Sequence, residues 1–211
     1  MKARRNFILG AVGAGFLIGL ASAAYCRLGG ALGAALFGLG LLVVLIEQVW
    51  LFTGRVGYVN RSNYRPTLAC LPFNLLGAIL CGVFASLAFG SDLNATVIAG
   101  TKLLQPTTQT FFRAVFCGFC MVTAVESWKR ASSTLGVLLS VFIFVASGFE
   151  HCVADAFYFA AGSMDRYLAT AQLPASIGYT AVARFLVVAI LGNSAGSILL
   201  KALLPKQISY R

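Results

Sequence analysis

The sequence predicts an all-α membrane protein of six transmembrane helices, arranged as an inverted repeat of three plus three spans with the second and fifth helices broken. Three observations carry that expectation. The 211 residues are 59% hydrophobic and only 10% charged, with a mean hydropathy of +0.87, whereas a soluble domain is closer to half apolar and a quarter charged. The apolar residues fall into six runs joined by short polar or basic segments. The two halves also echo each other, down to polar interruptions in matching places.

A transmembrane helix takes roughly 20 apolar residues. Spans of that order are predicted at 6–26, 32–53, 67–90, 108–128, 133–161 and 178–204. They fill the chain as one transmembrane channel domain, with repeat halves at about 1–95 and 96–211 and no room for a soluble domain. The first span follows Met1-Lys-Ala-Arg-Arg5, and Ala21-Ser-Ala23 imitates a signal-peptide cleavage site. The run is long for a signal core, and its removal would leave an odd number of spans. An uncleaved first helix is therefore expected. The second span is interrupted from Glu47 through Leu51-Phe-Thr-Gly54, and the fifth from Ser147 through Asp155. The third contains Asn74-Leu-Leu-Gly-Ala-Ile-Leu80 and the sixth Asn193-Ser-Ala-Gly-Ser-Ile-Leu199. Both read Asn-x-x-Gly-small-Ile-Leu. The fourth carries Cys117-Gly-Phe-Cys120. This is formally CxxC, but no histidine or acidic ligand lies near it, and small packing residues are the simpler reading.

The formal net charge of +10 is not a nucleic-acid signature, because the basic residues lie in the joints between spans. Lys2, Arg4, Arg5, Arg55, Arg61, Arg65, Lys129, Arg130, Lys201, Lys206 and Arg211 fall on one side. Arg27, Lys102 and Arg166 fall on the other, beside Asp92 and Asp165. The positive-inside rule then places both termini in the cytoplasm of a cell whose inner, plasma membrane holds the protein. Arg113 and Arg184 sit near span ends, where long side chains snorkel. Hydropathy excludes a soluble enzyme, and no Ser-His-Asp or two-carboxylate constellation survives the topology. A membrane haem or redox protein is disfavoured by a single histidine and no CxxCH. No cofactor or metal is expected.

Chemistry concentrates in Phe144-Val-Ala-Ser-Gly-Phe-Glu-His-Cys-Val-Ala-Asp155. An ionisable pair, Glu150 and the lone His151, sits there in an otherwise apolar span. Such residues need protein partners or a wet cavity, and they mark an ion or proton path. The bland alternative for His151 is a satisfied core histidine. As a pathway residue it would exchange a proton with a weak-acid anion or donate a hydrogen bond. Glu150, adjacent in sequence, points elsewhere and is expected to brace backbone or neighbouring helices. Breaking a helix frees backbone groups, and N–H groups at a half-helix N-terminus favour an anion. Thr53 adds a hydroxyl, while Gly54 and Gly148 let the chain turn. Each has a packing alternative. Lys102, outside the six spans, is either a solvated lysine or part of an electropositive vestibule that gathers anions.

These residues together resemble the formate/nitrite transporter family, over nearly the whole chain. The segment Phe144-Val-Ala-Ser-Gly-Phe-Glu-His151, followed by Val153-Ala154 and Phe157, resembles its fifth-helix signature. Leu51-Phe-Thr-Gly54 resembles the loop that interrupts its second helix, and Asn74-Leu-Leu-Gly77 and Gly192-Asn193-x-x-Gly196 are also family-like. The resemblance implies an aquaporin-like protomer assembled as a homopentamer in the lipid bilayer, each protomer passing formate, nitrite or hydrosulfide through its own pore. A neutral-solute channel of aquaporin type is the alternative, weakened by the missing Asn-Pro-Ala pair. His151 matches the family's pore histidine, Thr53 the threonine facing it and Lys102 the vestibule lysine; Glu150 and Asn193 complete the implied pore set. Leu51, Phe52, Phe37, Leu41 and Phe144 match its hydrophobic constrictions, which exclude hydrated ions. Two departures stand out. Gly118 replaces an asparagine, which predicts a lost polar pore contact, and Asp155 replaces another, which adds a charge. The N-terminus is brief, so no long N-terminal gating segment is expected.

Overall fold

Each half of the chain is a long helix, a broken helix and a second long helix. The computed structural model describes residues 2–170 and 178–204; Lys206 and Arg211 of the basic set lie outside these. The helices are α1 (Lys2–Leu28), α2 (Gly30–Ile46), α3 (Phe52–Arg55), α4 (Tyr64–Phe89), α5 (Ala95–Leu103), α6 (Thr107–Ala131), α7 (Thr134–Ala146), α8 (Cys152–Thr170) and α9 (Tyr179–Leu203). Short 3₁₀ turns follow α3 and α4. Among them α1, α4, α6 and α9 are long and apolar enough to cross a membrane unaided. The shorter α2 and α7 end at the predicted interruptions, and α3 and α8 follow them.

Large apolar side chains stand exposed along the flanks, among them Leu9 and Leu20 on α1, Leu68 and Phe84 on α4, Phe112 on α6 and Leu191 on α9. Surface of that kind is untenable in water and natural against lipid. The molecule is a multi-pass membrane protein. Lipid supplies no hydrophobic force between helices, so close backbone approach must hold them together. A Cβ on Gly15 would fall 1.9 Å from the Asn74 carbonyl oxygen, and one on Gly77 2.0 Å from that of Val12. These contacts lock α1 to α4. The second half repeats them: a Cβ on Gly118 would fall 2.6 Å from the Asn193 carbonyl oxygen, and one on Gly196 2.0 Å from that of Val115. Gly118 therefore marks the α6–α9 crossing. It is not the vacancy of a polar pore contact that the resemblance implied, because backbone stands where a side chain would go.

The two breaks are built alike. The C-terminus of α7 closes as a Schellman motif. The Phe149 N–H donates to the Phe144 carbonyl at 2.9 Å, and that of Gly148 to Val145 at 3.1 Å. Gly148 takes φ +66°, which glycine adopts without strain. At the matching point after α2 it is Gln48, not Gly54, that turns left-handed, with φ +54°. Gly54 instead lies inside α3, so the sequence-based expectation of a turn there is corrected. The turn must follow the last helical residue directly, and that position falls six residues earlier.

Candidate functional site

Beyond each left-handed turn the chain runs extended for a few residues. Its backbone groups there have no helical partners, and at membrane depth the protein itself must satisfy them. In each break that partner is one asparagine amide. Asn74 Nδ2 donates to the carbonyls of Trp50 and Ala11, both at 2.7 Å, and its Oδ1 accepts from the Phe52 N–H at 2.8 Å. Asn193 Nδ2 donates to Glu150 and Ala114 at 2.8 and 2.9 Å, and its Oδ1 accepts from the Cys152 N–H at 3.0 Å. The echo between the third and sixth spans is thus a pair of clamps. Asn193 gives its amide to backbone.

The residue held at the centre of the first clamp is Leu51; at the centre of the second it is His151. His151 also caps α8, its Nδ1 accepting from the Ala154 N–H at 3.2 Å. A ring nitrogen that accepts carries no proton, so the neutral imidazole bears its hydrogen on Nε2. Nε2 lies 2.8 Å from Thr53 Oγ1 and donates to it. This leaves the Thr53 hydroxyl hydrogen available for a further acceptor. The N–H groups of Cys152 and Ala154 are already taken. What α8 offers an anion is therefore mainly the field of its N-terminus, not a row of free donors.

Two cavities approach this point from opposite ends of the bundle. One, of about 270 Å³, is lined by Phe37, Phe144, Lys102, Glu150, His151, Asp155 and Arg113, among others. The other, of about 500 Å³, is lined by Leu41, Leu51, Gly54, Arg55, Tyr58 and Lys129, among others. Phe37 and Leu41 lie four residues apart on α2, so the barrier between the cavities is about one helical turn, ~6 Å, thick. The Phe37 and Phe144 rings meet edge to face at 5.6 Å, and Phe144 stacks on His151 at 5.7 Å. Thr53 and Phe52 are buried in the barrier and line neither cavity.

Lys102 is neither a loop residue nor solvated. It sits near the end of α5, and its side chain is only 15% exposed. Its ammonium hydrogen-bonds the Glu150 carboxylate and lies 2.9 Å from Asp155 Oδ1. Burial opposes the charge, but Asp155 and Glu150 outweigh it and hold Lys102 above the ordinary lysine range. Glu150 thus faces the cavity rather than only bracing backbone. In the sequence Asp155 is an added charge with no visible link to Lys102. The one local signal was its place one turn after His151; Lys102 lies over fifty residues away. At the opposite end, Glu126 accepts from Tyr58 Oη at 2.9 Å and Lys201 Nζ at 2.7 Å, and it pairs with Arg130. Lys129 lies 3.6 Å from the centre of the Tyr58 ring, and Arg55 lies 3.8 Å from that of Trp50.

Known proteins resemble the chain in sequence and in fold. The chain is 30% identical over 162 residues to a "Probable formate transporter" of Methanothermobacter thermautotrophicus, covering 61% of this chain and 59% of that protein. It is 30% identical over 144 residues to the nitrite transporter NirC of Salmonella typhimurium, covering 60% and 54%. The matches thus span little more than half the length of these relatives. Among solved structures, a pentameric formate channel with formate bound superposes with a TM-score of 0.79 at 27% identity, over 96% of both chains. An FNT family ion channel at 22% identity shares the fold, with a TM-score of 0.77 over 95% of this chain and 88% of that one. The family model for formate/nitrite transporters matches residues 1–206, and with the clamped breaks and the imidazole between two cavities in view, the chain belongs to the formate/nitrite transporter family.

Proposed function

We propose that the protein is a homopentameric channel for small monovalent weak-acid anions (formate, nitrite or hydrosulfide), with a pore in each protomer running from the Lys102 cavity to the Arg55 cavity. The observation that carries this reading is the one-turn apolar barrier between two cation-bearing cavities, with the His151–Thr53 pair at its centre. The bound formate and pentameric state of the superposed channel support the substrate class and the assembly. The basic residues of the joints support an orientation with both termini and the Arg55 cavity facing the cytoplasm, across the plasma membrane.

An anion gathers at the cations of one cavity. It then meets Phe37, Phe144, Leu41 and Leu51, where a bare charge is costly to desolvate. A weak acid escapes that cost by crossing with a proton, which a chloride ion cannot do. His151 holds Thr53 in place, and the Thr53 hydroxyl hydrogen-bonds the passing oxygen or sulfur. Because Nδ1 already caps α8, His151 serves as a fixed hydrogen-bonding post.

The test is flux into proteoliposomes carrying an internal pH dye, with formate, nitrite, hydrosulfide and chloride compared at two external pH values. Flux selective for one or more weak-acid anions, accompanied by protons, is the expected result. No flux from well-formed oligomers, or glycerol permeation without anion flux, would sink the reading, the second outcome pointing to a neutral-solute channel.

A further inference from the structure

The Lys102 cavity holds more negative charge than an anion antechamber needs. A single ammonium there faces two carboxylates, both buried: Glu150 and Asp155 are each 1% exposed. Glu150 takes a hydrogen bond from Lys102. Asp155 Oδ1 lies 2.9 Å from the same nitrogen. Its carboxylate lines the cavity and shares that one cation with Glu150.

The other charged and titratable groups around it are few. Arg113 of α6 lines the cavity at its rim, His151 stands in the barrier, and Tyr25 of α1 and Tyr158 of α8 contribute phenols. The thiols of Cys117 and Cys152 lie within electrostatic range. Neither α4 nor α9 adds a charged side chain to the lining. With every group in its ordinary ionic form, the cavity has two cations and two carboxylates, and the buried Lys102 cluster by itself is net negative. One added proton makes the cluster neutral and the cavity positive.

We infer that Asp155 is a specificity-determining residue that makes anion entry from the Lys102 side conditional on a proton: the cavity attracts an anion only when the Glu150–Asp155 pair has taken up one hydrogen ion. The inference rests on the channel reading above. Electrostatics supplies the reason. An unneutralised charge a few ångströms from the entering anion, in a partly wet site, changes its occupancy by about tenfold or more. A neutral amide at the same position would leave the cavity positive at every pH.

The test compares wild type with Asp155→Asn in oriented proteoliposomes, with formate as the probe and external pH set to about 5.5 and about 7.5. Any pH dependence that comes from formate itself is shared by both proteins, so the ratio of their rates isolates Asp155. The expected ratio is within about twofold at the acid pH, with the variant about tenfold faster at the higher pH. Glu150→Gln removes the other carboxylate and is expected to flatten the profile in the same sense, which keeps the test open should Asp155→Asn fail to assemble. A ratio that does not change with pH in either variant overturns the inference while leaving the channel reading intact. Absence of wild-type flux for every anion overturns both.

Discussion

Leu51 and His151 stand at the same point of two helix breaks, each bracketed by the amide of one asparagine. Asn74 bridges the residues on either side of Leu51, and Asn193 does the same around His151. An apolar side chain thus faces one cavity where an imidazole faces the other. The barrier is symmetric in backbone and asymmetric in chemistry: its imidazole comes from the second half of the chain, and the Thr53 hydroxyl that the imidazole meets comes from the first.

The clamps are expected to dominate stability. Asn193→Leu removes three hydrogen bonds and deprives the Glu150 carbonyl and the Cys152 N–H, which flank His151 in the break, of their partner. Each such loss in a buried site costs about 1–3 kcal/mol. The expected outcome is a large fall in the melting temperature of the purified oligomer, or failure to assemble, read by size-exclusion chromatography after stepped heating. An unchanged profile would mean that water replaces the amide.

Two glycines should differ in their tolerance of alanine. At Gly118 the new methyl would meet the backbone of Asn193 and Ser197 at 2.6 and 2.7 Å, and overpacking of this kind costs typically about 1–3 kcal/mol. At Gly54 it would meet only Val125 Cγ2, at 3.8 Å. Gly118→Ala is expected to lower thermal stability and Gly54→Ala to leave it nearly unchanged. Equal tolerance of both would show that α6 and α9 can separate at no cost.

The hydroxyl of Thr53 is separable from its bulk. Thr53→Ser keeps the acceptor for His151 Nε2 and a hydrogen to donate, and is expected to retain most anion flux. Thr53→Val keeps the shape, removes both functions and should lower flux by about tenfold or more, the scale of a lost buried hydrogen bond. His151→Phe should abolish proton-accompanied flux. Full retention in Thr53→Val would remove the imidazole–hydroxyl pair from the mechanism.

Lys102 should not titrate in the working range. Its value in the folded protein is raised above the ordinary one of 10.5. Its ion pairs therefore contribute fully below the unfolded value and are lost only as pH rises through the folded one. Thermal stability at pH 7 and at about pH 9.5 should not differ through Lys102. Lys102→Met, by contrast, leaves two buried carboxylates without a cation and should destabilise the oligomer at neutral pH, with partial rescue in Lys102→Met/Asp155→Asn. A lack of rescue would show that Asp155 is not held by this lysine.

Much of the fold was legible in the residues alone. Apolar runs of membrane length, the basic joints and the repeated Asn-x-x-Gly text are one-dimensional signals that lipid enforces directly, because a spanning segment must be apolar and must satisfy its own backbone. The matching interruptions located the barrier, and the lone histidine marked its polar centre. Tertiary structure decided what the individual polar residues do there. Asn193, read as a pore contact, became a backbone clamp. Gly118, read as a missing side chain, became a helix crossing, and the sharp turn moved from Gly54 to Gln48. Lys102 and Asp155 met across more than fifty residues of chain. Spacing along one helix says which side chains share a face, but whether a side chain meets a cavity or a neighbouring backbone depends on how closely two distant helices cross. That distance is set by packing between them, which neither helix's sequence contains.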